Sequence, residues 1–282
     1  MSRVGRVDGP DATARTRGSG EIQPVGRIAL KIDGVAKVYG ATAGTPAVRA
    51  LEPVHLDVRQ GEFISCVGPS GCGKTTLLNI VAGLVPPTRG QVLLEGTPLN
   101  EPSRDIGVMF QTPVLLPWRT VERNVLLPGE IYGRDQDKVR AKAREVLETV
   151  GLSDFMRALP GQLSGGMQQR VALARVLTYD PKVLLMDEPF GALDEFNREA
   201  MNLELKRIAN QSNVTVLFVT HNIAEAVFLA DRVVVMSPRP GRVTGVVDVG
   251  LGRSRDIELM HDRKFVDLTF EVRRKLKGDG HE

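Results

Sequence analysis

A glycine-rich octapeptide, Gly68–Thr75, separates two segments of opposite pattern. The preceding run, Phe63–Val67, is nearly continuously apolar and predicts a buried strand, whereas Thr76–Leu84 has the apolar spacing of a helix. A buried strand joined to a helix by glycines begins an α/β unit, in which backbone N–H groups converge at the helix N-terminus. The chain is therefore expected to contain a mainly parallel sheet covered by helices, with an anion site at this loop.

The octapeptide also has the side chains that a polyphosphate site requires. Its glycines let successive N–H groups face one anion, Lys74 adds a positive charge, and the Thr75 hydroxyl can bind Mg²⁺. A chance glycine turn is the alternative, and the flanking strand and helix argue against it. We expect the contacts with a nucleotide to come from Gly68, Pro69, Ser70, Gly71, Cys72, Gly73, Lys74, Thr75 and Thr76.

Strand patterns of two kinds occur in the rest of the chain. Nearly continuous apolar runs, typical of parallel strands buried on both faces, occur at Val183–Met186, Val214–Val219 and Val233–Met236. Shorter strands are predicted at Ile28–Ile32, Val54–Val58 and Gln91–Leu94. Val54–Val58 alternates apolar with polar residues, which favours an antiparallel sheet with one covered face. The charged segment from Val121 to about Leu159 has helical spacing and predicts an inserted helical lobe.

A second turn, Leu163–Arg170, also has the composition of an anion site. Ser164, Gly165 and Gly166 precede apolar residues at helical spacing, so they lie at the N-terminus of a predicted helix. Unpaired N–H groups and the positive end of the helix dipole favour a bound anion there. The chain thus contains two phosphate-binding elements that are far apart in sequence.

Two carboxylates, Asp187 and Glu188, follow the predicted strand Val183–Met186 directly. At the carboxyl end of a strand beside a phosphate loop, Asp187 can hold the Mg²⁺ shell and Glu188 can polarise an attacking water. A solvated acidic turn is the alternative for this fragment taken alone.

Together, the octapeptide, the carboxylate pair and the sequence Leu-Ser-Gly-Gly-Met-Gln-Gln-Arg resemble the ATPase subunits of ABC transporters, from about Arg27 to Val249. The resemblance implies an α/β P-loop NTPase core of the RecA type, with an antiparallel β subdomain and an inserted α-helical subdomain, and it implies ATP and Mg²⁺ as cofactors. The expected organisation is a disordered tail at 1–26, an ATPase domain at 27–250 with the helical subdomain at about 112–170, and an extension with a short amphipathic helix at 251–282.

Four further residues match motifs of this family. Gln111 matches the glutamine that contacts Mg²⁺, and His221 matches the histidine that positions the catalytic water. Asp194 matches a loop that runs between protomers, and Tyr39 matches the aromatic that stacks on adenine. Each residue alone also fits an ordinary surface, capping or core position. Asn222 follows His221 where the family commonly has aspartate, which leaves the histidine itself in place.

The resemblance also assigns roles to these residues. The implied catalytic set is Lys74, Gln111, Glu188 and His221, and the implied metal-binding set is Thr75, Gln111 and Asp187. In the family, two ATPase subunits pack head to tail. The turn that corresponds to Leu163–Arg170, here called the signature turn, then closes on the nucleotide of the other subunit. The residues expected to cap the ATP of a second copy are Ser164, Gly165, Gly166 and Gln168, with Asp194 beside them.

The resemblance implies partners and a location as well. The apolar segment Gln111–Trp118, which holds the only tryptophan, would contact a membrane permease, with a local core as the alternative. A periplasmic or extracellular solute-binding protein would act indirectly, and the subunit would lie at the cytoplasmic face of the inner membrane. Finer similarity to nitrate, sulfonate, taurine and bicarbonate importers in Leu116–Trp118, Phe228–Arg232 and Ser237–Gly241 implies a small anionic cargo. The net charge of +3 does not indicate a nucleic-acid partner.

Two other classes of function are left open by the sequence. A DNA-repair or chromosome ATPase of the same superfamily would need a long coiled-coil insert between Lys74 and Asp187, and the heptads for it are missing. A nucleotide-binding scaffold without catalysis would usually lack Lys74, Glu188 or His221, and all three are present. The sequence therefore favours a transport ATPase that is active as a dimer.

Overall fold

The computed structural model describes residues 26–40, 46–133, 135–191 and 193–278, so nearly all of the predicted tail at 1–26 lies outside the described residues. The strands are β1 (Ile28–Tyr39), β2 (Val48–Arg59), β3 (Phe63–Val67), β4 (Arg89–Leu94), β5 (Thr97–Pro98), β6 (Ile106–Met109), β7 (Val183–Asp187), β8 (Thr215–Thr220), β9 (Arg232–Met236) and β10 (Val243–Asp248). The helices are α1 (Lys74–Val81), α2 (Val121–Tyr132), α3 (Gln136–Thr149), α4 (Gly165–Leu177), α5 (Glu195–Ser212), α6 (Ile223–Leu229) and α7 (Arg263–Lys277). Short 3-10 turns occupy Ser153–Phe155, Pro160–Gln162 and Ile257–His261.

The described strands form two sheets of different type. One sheet has the order β10-β9-β3-β8-β7-β6 and is parallel except for β10. The other has the order β2-β1-β4-β5 and is antiparallel. The continuous apolar runs are the parallel strands, because both of their faces are covered, and the alternating segment lies in the antiparallel sheet. The predicted fold class is confirmed.

The two faces of the parallel sheet belong to different parts of the core. Along β3, Phe63 and Val67 pack on the side of helices α2 to α7, whereas Ile64 and Cys66 pack on the side of α1 and the antiparallel sheet. This alternation follows from the two-residue period of a strand. The parallel sheet is therefore the middle layer of the molecule.

The carboxyl ends of β3, β6, β7, β8 and β9 lie along one edge of the parallel sheet. The register shows it: Val67 pairs with both Thr220 and Val235, and Asp187 pairs with Val219. The loops that follow these strands are therefore neighbours at this edge, which is where open α/β sheets bind their ligands.

Two element boundaries differ from the sequence-based expectation. Helix α1 begins at Lys74, inside the octapeptide, instead of at Thr76, because Gly73 takes a left-handed φ of 101° and forms the N-cap. Strand β1 continues to Tyr39 instead of ending at Ile32. Register shifts near Gly34, whose φ is 63°, interrupt the alternation of the strand without ending its pairing, so the pattern hides its second half.

The charged segment that begins at Val121 forms two helices. Thr120 caps α2 by accepting a hydrogen bond from the Arg123 amide (3.3 Å), and Gly133 ends the helix with a φ of 61°. Asp135 then caps α3. Both helices pack against α4, which joins the lobe to the parallel sheet. The limits of this lobe as a subdomain, at about 112–170, stay a prediction.

Helix α7 is the amphipathic helix expected in the C-terminal extension. Phe265, Leu268 and Val272 are buried against α6, β9 and β10, and the opposite face contains Phe270 and several basic residues. Neither α7 nor any other described helix is long and apolar enough to cross a membrane.

Candidate functional site

The octapeptide forms a loop that curves around the Lys74 ammonium. Gly71 and Gly73 have φ angles of 74° and 101°, which glycine adopts without strain. Lys74 Nζ donates hydrogen bonds to the carbonyl oxygens of Gly68 (2.8 Å) and Pro69 (3.1 Å), and the residue is only 6% exposed. The positive charge is thus held inside the loop, within reach of an anion bound to the loop N–H groups.

An open cavity of about 290 Å³ lies over this loop. Tyr39 forms part of its rim, since its hydroxyl lies 3.4 Å from Thr76 Oγ1 and Lys37 Nζ lies 5.2 Å from the ring centroid. The ring is 43% exposed and can offer area to an aromatic base. The residues that line the cavity are Tyr39, Val48, Ala50, Ser70, Gly71, Gly73, Lys74, Thr75, Thr76, Glu188 and Arg239.

Asp187 ends β7 next to the loop and forms a hydrogen bond with the Thr75 side chain. Burial raises the pKa of the Asp187 carboxyl above its ordinary value, and the Glu188 charge also raises it. The Thr75 hydrogen bond and the Lys74 charge act in the opposite direction and lower the pKa. The carboxylate is therefore costly to bury in its charged form, and a bound cation would offset that cost.

The oxygens of Thr75 and Asp187 suit Mg²⁺, which proteins usually hold through one or two side chains while substrate phosphates and waters fill the other positions. Within the described ranges, no cluster of three or more His, Cys, Asp and Glu could hold a metal ion. A two-residue site completed by phosphate is the arrangement that these donors allow. The metal contact predicted for Gln111, whose side chain is exposed at the end of β6, stays a prediction.

Glu188 turns away from the strand that precedes it. Its φ is 44°, a left-handed conformation that costs a non-glycine residue on the order of 1–3 kcal/mol. Its amide donates to the Val219 carbonyl oxygen (2.9 Å), and its Oε2 lies 3.0 Å from His221 Nδ1. The turn therefore directs the carboxylate toward His221 and the border of the cavity.

The segment that holds His221 is fixed by a buried polar network. Thr220 Oγ1 donates to Glu225 Oε2 (2.5 Å) and accepts from the Asn222 amide (3.0 Å). Burial raises the pKa of the Glu225 carboxyl. Asn222 caps α6 by accepting from the Glu225 amide (3.1 Å), so its amide oxygen has the capping role that an aspartate would have.

Gln111 is bonded to helix α4 through its backbone carbonyl group. Its carbonyl oxygen accepts a hydrogen bond from Gln169 Nε2 (2.9 Å), and its own Nε2 lies 3.8 Å from the place that a Cβ on Gly191 would occupy. Gln169 is buried, and the sequence pattern gave it no role because nothing local distinguishes it from the neighbouring Gln168.

The second predicted phosphate element lies at the start of α4. Ser164 caps this helix by accepting from the Met167 amide (3.3 Å), and Ser164 and Gly165 are exposed. Gln168 Nε2 donates to the carbonyl oxygens of Pro160 (3.1 Å) and Leu163 (3.3 Å), so it stabilises the turn, and its contact with a phosphate stays a prediction.

The signature turn is separate, within one chain, from the cavity over the octapeptide loop, which is here called the P-loop. Ser164, Gly165 and Gly166 are not among the residues that line the cavity above Lys74 in the described chain. Asp194, at the N-terminus of α5, accepts hydrogen bonds from the Asn197 backbone amide (3.0 Å) and from Asn197 Nδ2 (2.6 Å), and both lower the pKa of its carboxyl. Ala192 in the same loop lies outside the described residues.

Comparison with known proteins supports the reading of these motifs. The ABC transporter family model matches residues 51–191. An uncharacterized ABC transporter ATP-binding protein of Methanocaldococcus jannaschii is 46% identical over 89% of this chain and 95% of that protein. The taurine import ATP-binding protein TauB of Rhizobium johnstonii is 43% identical over 86% of this chain and 95% of that protein.

A third relative and a solved structure extend the comparison. The aliphatic sulfonates import ATP-binding protein SsuB of Bacillus cereus is 42% identical over 86% of this chain and 96% of that protein. A dimeric structure of a post-hydrolysis state of an ATP-binding cassette bound to ADP and Pi has a TM-score of 0.69 and 36% identity. It covers 78% of this chain and 98% of that chain.

Proposed function

The chain belongs to the ABC transporter family, and on this basis we propose that it hydrolyses ATP for an importer of small anions. The family resemblance predicted from its motifs is confirmed: it is an ATP-binding subunit of an importer-type transporter, and it uses ATP and Mg²⁺. The observation that carries the catalytic proposal is the 3.0 Å contact between Glu188 and His221 at the border of the cavity above Lys74.

Each polar side chain of the site has one task in hydrolysis. Lys74 and the loop N–H groups bind phosphate oxygens and offset the negative charge that moves during transfer. The Glu188 carboxylate accepts a hydrogen bond from the attacking water and takes its proton. His221, held against Glu188, keeps the carboxylate oriented. Thr75 and Asp187 would hold Mg²⁺, which would further neutralise the phosphate charge.

Glu188→Gln tests the general base. The amide keeps the size of the side chain but cannot take a proton, so we expect phosphate release to fall by roughly 10²- to 10⁴-fold while ATP binding is retained. Steady-state phosphate release and an equilibrium ATP titration of the purified protein measure the two effects.

Glu148→Gln, which alters an exposed carboxylate on α3, is the matched control and should keep the wild-type rate. Rapid turnover by Glu188→Gln would reject the role of Glu188. A wild-type protein that binds ATP but releases no phosphate would instead favour the nucleotide-binding scaffold.

The separation of the two phosphate elements supports a head-to-tail dimer. Ser164 and Gly165 are exposed at the N-terminus of α4, where an anion is favoured, and yet they do not line the cavity of their own chain. In a head-to-tail dimer, this turn of one copy would lie against the nucleotide bound in the cavity of the other copy. The dimeric cassette structure, to which the chain is similar, supports this assembly.

The segment after Gln111 is proposed to contact the permease. Trp118 is 74% exposed, and Phe110 and Val114 are also exposed apolar residues of this region. Leu115, by contrast, packs partly against the core, so the segment is anchored while its other apolar side chains face outward. Exposed apolar side chains on an anchored segment fit a docking surface better than a local core. Binding to a permease would place the subunit at the cytoplasmic face of the inner membrane.

The cargo is proposed to be a small anion such as a sulfonate, taurine or nitrate, delivered by a solute-binding protein. Support comes from the names of the taurine and sulfonate import relatives. The test is uptake of these anions by vesicles that contain the subunit and its permease. Uptake of a neutral or cationic solute, with none of these anions transported, would reject the cargo class.

A further inference from the structure

The segment Ser237–Gly241 follows β9 and packs against the octapeptide loop. Strand β9 pairs with β3, so the loops that follow these two strands leave the sheet side by side. The Gly241 amide donates to the Ala50 carbonyl oxygen (3.0 Å), and the Gly241 carbonyl oxygen accepts from the Glu52 amide (2.9 Å). A Cβ on Gly241 would overlap the Cys72 carbonyl oxygen, so the two loops meet backbone to backbone.

The same segment is braced by its own hydrogen bonds. The Ser237 amide donates to the Arg242 carbonyl oxygen (2.9 Å), and the Arg242 amide donates back to Ser237 Oγ (3.2 Å). Pro238 and Pro240 restrict φ at two of the positions between them. Arg239 therefore extends from a turn whose position relative to the octapeptide is fixed.

Arg239 reaches the nucleotide cavity from this turn. Its Nε donates to the Gly71 carbonyl oxygen at 3.4 Å, a long hydrogen bond that a stronger acceptor can replace. It borders the cavity together with Lys74 and Thr76. In the part of the chain that the structure describes, no carboxylate forms an ion pair with Arg239.

The charges around the cavity favour a polyanion. Lys74 and Arg239 both line it, and the carboxylate that lines it, Glu188, is in contact with His221. Two cations that face one cavity repel each other. An anion with several oxygens between them offsets this repulsion, because each cation is attracted to it. A guanidinium can form two parallel hydrogen bonds with phosphate oxygens, which a lysine cannot.

We propose that Arg239 binds the phosphate chain of the nucleotide, as a second cation beside Lys74. Arg239 lies outside the nucleotide-site motifs matched from the sequence, in which Ser237–Gly241 carried only the finer similarity to importers of small anions. The inference rests on the proposed use of this cavity for ATP and adds a phosphate contact to it.

The test is isothermal titration of the full chain with MgADP, which does not rely on closure of a dimer around ATP. Arg239→Ala should weaken ADP binding by about tenfold, the usual effect of removing one charged hydrogen-bond partner. Arg239→Lys should lose less, because it keeps the charge without the paired geometry. Arg242→Ala removes a cation from the same turn that does not line the cavity, and it should bind ADP like the wild type.

Each outcome separates this inference from the proposed function. If Lys74→Ala abolishes ADP binding and Arg239→Ala has wild-type affinity, the Arg239 contact is rejected and the ATP site stands. If the wild type itself does not bind ADP, both fail. Weaker ATP-driven dimerisation at unchanged ADP affinity would also reject the contact, because it would assign Arg239 to the second chain. If a thermal melt shows Arg239→Ala unfolding early, Arg239→Gln takes its place in the titration.

Discussion

At the residue scale, the reactive groups depend on backbone conformation as much as on side-chain identity. Gly73, with a φ of 101°, lets α1 begin at Lys74, and Glu188, with a φ of 44°, turns its carboxylate off the line of β7. The first is available to glycine at no cost, whereas the second strains the chain by about 1–3 kcal/mol. The hydrogen bond from the Glu188 amide to Val219 helps to hold that strained turn.

Asp187→Asn should raise the melting temperature of the nucleotide-free protein at pH 7 while it weakens the Mg²⁺ dependence of ATP binding. Burial raises the pKa of Asp187, which means that the charged form destabilises the fold. Asparagine keeps the size of the side chain and can still pair with Thr75. We expect a rise of about 2 °C, measured by a thermal melt without nucleotide.

The destabilisation of the fold by the charged Asp187 carboxylate depends on pH. The folded pKa of Asp187 lies above the unfolded value, so the penalty is fully present above the folded pKa and is lost as pH falls through it toward the unfolded pKa. The difference between the two melting temperatures should therefore shrink on acidification. Asp57→Asn, at an exposed position of β2, is the control and should show no such trend. A lower melting temperature for Asp187→Asn at pH 7 would contradict the expectation.

At the element scale, the segment after Gln111 is tied to two helices. Asn124 of α2 donates from Nδ2 to the Leu116 carbonyl oxygen (3.1 Å), and Arg175 of α4 donates to the Val114 carbonyl oxygen (2.5 Å). Burial lowers the pKa of the Arg175 guanidinium without neutralising it. The segment after Gln111 is therefore bonded to both α2 and α4. A movement of Gln111 can for this reason be transmitted to the helical lobe.

Trp118→Ala should weaken binding to the permease at least tenfold, because truncation of an exposed aromatic anchor commonly removes that much affinity. ATP binding by the purified subunit should not change, since Trp118 does not line the cavity above Lys74. Co-purification with the permease and an ATP titration measure the two. The control is Phe270→Ala, which truncates an exposed aromatic side chain on a different element, α7. Equal permease retention by both variants would show that this segment is not the docking surface.

The elements were predictable where one physical pattern acts alone. Phe63–Val67 is a strand of the expected length because it is nearly all apolar and is buried on both faces. The second half of β1 was missed, since bulges break its alternation, and the start of α1 was placed two residues late, because a glycine cap has no side-chain signal.

At the scale of the whole molecule, the two phosphate elements are on different parts of the chain. The P-loop follows a central strand of the parallel sheet, whereas Ser164 begins a helix that packs with α2 and α3 in the helical lobe. In the described chain, the signature turn contributes no residue to the lining of the cavity above Lys74. A composite site formed by two copies is the arrangement proposed to bring the two elements together.

Mixing two inactive variants tests the composite site. Lys74→Ala removes the cation that is proposed to bind phosphate, and Ser164→Asp keeps an N-cap for α4 but places a negative charge at the signature turn. A mixed dimer should contain one intact site, because the intact P-loop and the intact signature come from different chains. We expect phosphate release of up to about a quarter of the wild-type rate after random mixing.

The control is a mixture of Lys74→Ala with the double variant Lys74→Ala/Ser164→Asp, which has no intact site in any dimer. Full activity of Ser164→Asp alone, or no recovery in the first mixture, would contradict the head-to-tail arrangement. Recovery in the first mixture with none in the control is the result that the composite site predicts.

The phosphate loop, the carboxylate pair and the types of strand were predictable from the sequence, because each depends on residues that are close in the chain. Contacts between distant groups arise only in the folded molecule: His221 contacts Glu188, Gln169 holds Gln111, and Arg239 reaches the cavity above Lys74. These contacts follow from the strand order β9-β3-β8-β7-β6, which places loops from across the chain along one edge of the sheet. A local pattern specifies that a strand forms, but the packing of both sheet faces specifies which strand lies beside it.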